Sequence, residues 1–358
     1  MKMACRGSPN IQAPRLLFLS ALATFVLAGT QGRPHGTFAR SRTTRHTISG
    51  LSAGGSMVAQ HMVAFSSLVD GAAINAGSPY GCGSLPDFDN TCNYDDPPIN
   101  VETLFRTTAD REATGAIDAV KNLADMPVYL YAGTQDSVTY FGVMEAARRY
   151  FAHYVNDDSM KVVFNVPSEH GYITDGYGEC CDCIYGTYVL NCRYDQAGDI
   201  LQHIYRGELK YPTAWSAPGR NKFEVEQRSY TPEGSWWPGV QMRETGWAYV
   251  PEKCHANVSN CRLHVHYHGC GEYGLMPANQ IGYNQWAEAN NIVVLYPMAR
   301  SAIGNLMGCW DWWGATGRTY DTKAGVQLNT VLNIIDNLQA AIKWDSSAAS
   351  NTVATMQK

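Results

Sequence analysis

The chain has 358 residues, 45% of them hydrophobic, which is enough to bury a large core. Its net charge of −5, with no long basic run, argues against nucleic acid as a partner. A charged fraction of 16% beside 21 Tyr and 9 Trp argues against a disordered chain and suits the weakly charged surface of an exported protein.

Residues 1–28 read as a signal peptide: Lys2, Arg6 and Arg15 precede the apolar run from Leu16 to Ala28, and Val26 and Ala28 are small enough for cleavage after Ala28. The run is short for a membrane span of ~20 residues, and no later segment is long and apolar enough to cross a bilayer. The expected product is therefore secreted. Residues 29–43 are polar and expected to be flexible. Thr44–Ser49 reads as a strand, Ser56–Ser67 as a helix with apolar Met57, Val58, Met62 and Phe65, and Val69–Ala76 as a second strand. The Gly/Pro/Asp-rich stretch 77–100 reads as loop and Ala116–Leu123 as a short helix. Met126–Ala132 is a buried strand by its Pro and Gly borders, Gly142–Tyr154 a helix and Met160–Val166 a strand. This alternation implies a parallel sheet with crossover helices. Residues 211–250 lose helical periodicity and suggest short antiparallel strands at Lys222–Tyr230 and Gly246–Val250. Cys261–His268 and Ile292–Tyr296 are strands, Ile281–Asn290 a helix, and Ala324–Trp344 a long helix; 346–358 is a tail.

The chemistry centres on Gly50-Leu51-Ser52-Ala53-Gly54, a G-x-S-x-G between a strand and a helix. That context is what an exposed nucleophilic serine on a sharp strand-to-helix turn requires; the alternative is an ordinary Gly/Ser turn. A serine hydroxyl needs a base, and the base an orienting carboxylate. Asp136 lies just past the strand 126–132 and His170 just past 160–166, in the acid-then-histidine order of an α/β-hydrolase. Asp175 and Glu169 are rival acids, Glu169 being adjacent to the histidine and badly placed for its far nitrogen. Two backbone N–H donors must face the developing oxyanion. Ala53 should supply one, and Cys270, after the His268-Gly269 that closes the strand 261–268, the other. Few strands precede Ser52, yet the C-terminal half holds a strand, helix, strand and long helix, the elements that usually stand before a nucleophile strand. The fold class is therefore a circularly permuted α/β-hydrolase, one catalytic domain over 44–345 with a mostly parallel sheet flanked by helices.

Eleven cysteines occur, and ten remain after the signal, an even number suited to disulfides. Cys82 with Cys92 and Cys254 with Cys261 are local pairs, Cys270 and Cys309 are left to each other, and Cys180, Cys181, Cys183 and Cys192 form a cluster of open connectivity. Cys180–Cys183 has a C-x-x-C spacing, but no second pair completes a zinc site. His264, His266 and His268 alternate and so share one strand face. A zinc hydrolase built there is a rival reading; core or surface histidines are the preferred one. Asn257-Val258-Ser259 is a glycosylation sequon. Cys309-Trp310-Asp311-Trp312-Trp313 is either core packing or, if Cys270 bonds Cys309, a wall of the substrate cleft, with Trp310 the first choice. Trp236 and Trp237 form a second aromatic patch that could adsorb to a hydrophobic solid.

GLSAGGSM, AGSPYGC, the Asp136 and His170 segments, LHVHYHGCGEYG, GYNQWAEANNIVVLYP and GCWDWWG, in this order from about Thr47 to Leu338, resemble the fungal-type, single-domain extracellular poly(3-hydroxybutyrate) depolymerases. The resemblance implies Ser52, Asp136 and His170 as triad, Ala53 and Cys270 as oxyanion donors, a Cys181–Cys192 bridge, and Trp310 at the position of an aromatic residue that contacts substrate. It implies no cofactor and no metal. The segment between Tyr296 and Cys309 is shorter here than in the family, and Cys180 and Cys183 are additional. The expected function is a secreted, monomeric serine esterase acting on short-chain hydroxyalkanoate polyesters. A carboxylesterase for small soluble esters, feruloyl or acetyl esterase-like, is the alternative, and a non-catalytic polymer-binding module a more distant one.

Overall fold

The computed structural model describes residues 44–184, 186–213, 221–272 and 279–344. The expected signal peptide, the segment 29–43 and the tail 346–358 lie outside the described residues. Twelve strands occur among them: β1 His46–Leu51, β2 Val69–Asn75, β3 Val128–Gly133, β4 Met160–Val166, β5 Tyr172–Thr174, β6 Glu179–Cys180, β7 Val189–Asn191, β8 Lys222–Glu226, β9 Thr245–Tyr249, β10 Arg262–Tyr267, β11 Ile292–Tyr296 and β12 Ile342–Lys343. Nine form one sheet in the order β12-β8-β9-β11-β10-β1-β2-β3-β4, and β5-β7-β6 form a small second sheet. From β11 to β4 every pairing in the large sheet is parallel; β9 runs antiparallel to both β8 and β11.

This order shows how the two halves of the described chain share one sheet. Reading from β8 through β11 and then from β1 through β4 gives a continuous walk across the sheet, with one exchange between β10 and β11. β1 sits in the middle, with Ile48 opposite Val265 of β10 and Ala72 of β2. The C-terminal half thus supplies one side of the sheet and the N-terminal half the other.

Strand side chains alternate between two cores, as the pleat demands. Ile48, Leu130, Val265, Val293 and Leu295 face a core that contains the first helix, α1 (Ala53–Ala64). Leu51, Tyr129, Tyr131, Ile292, Val294 and Tyr296 face the other, closed by the helices Gln196–Ile204 and Tyr283–Asn290. With both faces covered, the central strands β1 and β3 are buried along their whole length.

Several elements depart from the sequence reading. The helix after β1 begins at Ala53 rather than Ser56, because the chain turns directly out of the strand at Ser52. Within 77–100, read as loop, Phe88–Tyr94 is helical. The helix Val101–Ala113 escaped detection because only Val101, Leu104 and Thr108 on it are buried, too sparse an apolar stripe to register. The expected helix 324–344 is two, Val326–Asp336 and Leu338–Ala341, separated at Asn337, and its end pairs with β8 as β12.

Candidate active site

The turn between β1 and α1 fixes Ser52 in a conformation few residues adopt, with φ 58° and ψ −124°. The flanking glycines make room for it. A methyl group on Gly50 would run into the carbonyl of Gly54, and one on Gly54 into the carbonyls of Tyr267 and His268. The Ser52 N–H donates to the Asn75 carbonyl at the end of β2 (2.9 Å), which ties the turn to the neighbouring strand.

The acid and the histidine come from the loops after β3 and β4. His170 Nδ1 lies 2.8 Å from Asp136 Oδ2, and both side chains are almost wholly buried, at 5% and 2% exposure. Asp136 is itself held, its Oδ1 accepting from the Val138 and Thr139 N–H groups at 2.9 and 2.8 Å. Glu169 turns elsewhere, accepting from the Ser137 N–H and hydroxyl. The Asn75 side chain donates to the Gly171 carbonyl (3.2 Å), so the residue that anchors the serine turn also anchors the chain beside His170.

Ser52, Ala53 and Cys270 line one cleft of about 470 Å³. The 269–272 turn that carries Cys270 is attached twice to the segment 307–309: Cys270 is bonded to Cys309, and the Gly271 N–H donates to the Met307 carbonyl (2.7 Å). The segment before Cys309, including Asn305, Leu306 and Met307, lines the cleft beside this turn. Asn305 holds that segment through paired hydrogen bonds to the Cys309 backbone.

The tryptophan run corrects one expectation. Trp310 does not reach the cleft; it is fully buried at the end of β10, packed on Tyr267 and His268 at ring separations of 5.0 and 5.6 Å. Trp312 and Trp313 line the cleft instead. The reason lies in Asp311, whose carboxylate gathers the N–H groups of Trp313, Gly314, Ala315 and Thr316 and turns the chain so that the later tryptophans face outward. Phe88 stacks edge-on against Trp312 at 5.6 Å, which makes the overlooked helix Phe88–Tyr94 part of the same wall.

The histidine strand is core. His264 uses both nitrogens on the Thr47 and Ser49 hydroxyls (2.9 and 2.7 Å), and His266 Nδ1 meets the same Ser49. His268 Nε2 accepts from the Ala299 N–H (3.0 Å), so its Nδ1 carries the proton and donates to the Gly269 carbonyl (2.7 Å). Burial pushes His264 down to about 3, His268 to about 4 and His266 well below the usual imidazole value. Hydrogen bonds therefore take up both nitrogens of His264 and of His268 and the Nδ1 of His266, while His266 Nε2 is buried without a partner.

Five disulfides close among the described residues: Cys82–Cys92, Cys180–Cys183, Cys181–Cys192, Cys254–Cys261 and Cys270–Cys309. The sequence had left Cys180 and Cys183 open; they pair with each other. Asn257 stands exposed inside the Cys254–Cys261 loop. Trp236 is 74% exposed, whereas Trp237 packs against the core.

Strand order, the serine turn and the loops that follow β3 and β4 define an α/β-hydrolase whose strand succession is circularly permuted. No family model matches the chain. A poly(3-hydroxybutyrate) depolymerase from Delftia acidovorans is 37% identical over 305 residues, 83% of this chain and 60% of its own length. A polyhydroxybutyrate depolymerase from Talaromyces funiculosus is 30% identical over 313 residues, 82% of this chain and 88% of its own. The chain thus spans less than two thirds of the Delftia relative and most of the fungal one. Among solved structures, the PHB depolymerase from Penicillium funiculosum superposes with a TM-score of 0.74 at 28% identity, covering 84% of this chain and 97% of that one. A serine-to-alanine PHB depolymerase complexed with an R3HB trimer superposes at 0.73, with 27% identity and the same coverage. The chain belongs to the poly(3-hydroxybutyrate) depolymerase family, as its motifs implied.

Proposed function

We propose that this protein is a serine esterase that cleaves the ester bonds of poly(3-hydroxybutyrate) or a closely related short-chain hydroxyalkanoate polyester. Ser52 Oγ attacks the ester carbonyl while His170 Nε2 accepts its proton. Asp136 holds the imidazole through Nδ1 and stabilises the imidazolium. The charge that develops on the carbonyl oxygen is met by the Ala53 and Cys270 N–H groups. Collapse expels the alcohol end of the polymer, protonated by His170; water then attacks the acyl-serine by the same route and releases the acid. The observation that carries this reading is the buried His170–Asp136 pair beside a cleft that brings Ser52, Ala53 and Cys270 together.

A polymer rather than a small ester is favoured by the apolar rim. Tyr94, Val138, Leu306 and Met307 line the cleft and are 37–79% exposed, with Ile303 fully exposed nearby in the chain. The four lining side chains carry no charge to desolvate against a hydrophobic solid; Asp89 adds a carboxylate to the same lining. A relative captured with an R3HB trimer supports the same substrate class. Five disulfides support secretion, and the exposed Asn257 would then be a glycan acceptor. Hydrolysis of polymer granules beside p-nitrophenyl butyrate tests the assignment. Soluble hydroxyacid released from granules, abolished by Ser52→Ala, supports it; rapid turnover of the aryl ester with inert granules assigns a small-ester carboxylesterase instead.

A further inference from the structure

Glu272 is a buried carboxyl that the triad does not use. It sits two residues past the oxyanion donor, 6% exposed, and its Oε2 accepts from the Tyr172 hydroxyl (2.6 Å) and, more weakly, from the Gly269 N–H (3.4 Å). Tyr172 begins β5, two residues past His170. One carboxyl thus joins the two loops whose relative placement decides catalysis: the 269–272 turn and the histidine loop. It also spans the turn from end to end, since Gly269 and Glu272 bracket Cys270. Gly269 lies between the clamp and the nucleophile: a methyl there would sit 3.3 Å from both Glu272 Oε1 and Ser52 Cβ.

We propose, resting on the serine esterase reading above, that Glu272 is a positioning residue that fixes the Cys270 N–H in the oxyanion hole by clamping the 269–272 turn to Tyr172 of the histidine loop. The disulfide and the Gly271–Met307 hydrogen bond pull this turn toward the cleft wall. Both act through the one segment 307–309. The Glu272 clamp adds a second anchor, at Tyr172. What the clamp requires is an acceptor oxygen, and a charge would be a liability so close to a developing oxyanion. Burial is consistent with that requirement, pushing the Glu272 carboxyl up to about 7.

The test compares Glu272→Ala, Glu272→Gln and Tyr172→Phe in the full chain on p-nitrophenyl butyrate, with melting curves and Ser52→Ala alongside. Loss of a well-aimed oxyanion donor costs ~10²-fold in kcat with little change in KM. Glu272→Ala should show that pattern, and Tyr172→Phe a smaller loss of the same kind. Glu272→Gln, which keeps an acceptor without the charge, should recover most of the Glu272→Ala loss. Reaction with a fluorophosphonate, whose phosphoryl oxygen occupies the same hole, should slow in parallel. An unchanged kcat in folded Glu272→Ala, a loss confined to KM, or a Gln variant as impaired as the Ala variant would overturn the proposal. If Glu272→Ala fails to fold, Tyr172→Phe and Glu272→Gln carry the decision by the same kcat criterion. Full activity in Ser52→Ala would instead overturn the esterase reading and leave the clamp without a reaction to serve.

Discussion

Replacing Asp136 by Asn isolates the orienting carboxylate with almost no change of shape. Asp136 Oδ1 is surrounded by two N–H donors, from Val138 and Thr139. An amide at this position must keep its oxygen there, because an NH2 would face two donors. Its nitrogen is therefore forced toward His170 Nδ1, where the carboxylate oxygen stands at 2.8 Å. That nitrogen is a donor, so Nδ1 must accept and the imidazole proton moves to Nε2, the atom that has to take the serine proton. The wrong tautomer costs ~10⁴-fold in kcat in a triad of this kind, equivalent to ~5 kcal/mol of barrier. Initial rates on p-nitrophenyl butyrate measure the loss, and a melting curve checks that the variant is folded. Glu169→Gln is the comparator and should stay within about threefold of wild type, since it orients nothing on the imidazole ring. A loss under tenfold for Asp136→Asn, or an equal loss for Glu169→Gln, would refute the assignment of the acid.

Breaking Cys270–Cys309, which closes a loop of 39 residues, should cost about 4 kcal/mol on the chain-entropy relation and lower the melting temperature of the Cys270→Ser/Cys309→Ser protein. The tryptophans should separate by assay: Trp312→Ala should reduce granule hydrolysis several-fold with little change in melting, whereas Trp310→Ala should cost about 3–5 kcal/mol of stability, as for a fully buried indole. Stability should fall in mild acid. His46 and His268 are held near 4 and His264 near 3 by burial. Their folded values lie below the unfolded one, so the unfolded chain binds more protons below about pH 6.5, and stability present above that pH is lost as pH falls toward the folded values. Between pH 7.5 and 5 each contributes about 2 kcal/mol to that loss. Glu272, raised to about 7, opposes it as a single group. Melting temperatures at pH 7.5 and 5 measure the balance; an unchanged or higher value at pH 5 would contradict it.

The serine turn was legible because it needs a particular local grammar: a β-branched strand, a serine between glycines and a helix of small residues. The placement of Asp136 and His170 in the loops after β3 and β4 was legible from the strand that precedes each. The start of α1 was obscured by Gly54 and Gly55, residues suited to close passage rather than to helix propensity. The roles within Trp310, Trp312 and Trp313 were not readable, because they depend on how the Asp311 carboxylate folds the chain between them. Glu272 gave no signal at all. Its meaning comes from Tyr172, 100 residues away, and from a burial that only the assembled sheet creates.

The central position of β1 has a consequence for biosynthesis. The strand bearing the nucleophile is paired on one side with a segment more than two hundred residues downstream, Thr47 standing opposite His264. A nascent polypeptide therefore exposes a half-built sheet edge, with serine, acid and base already translated, until β10 arrives. Contacts of such long range form late. On the proposed mechanism, translation halted before Cys270 leaves a fragment with Ser52, Asp136 and His170 but without the Cys270 N–H, so hydrolysis would await the strands that follow.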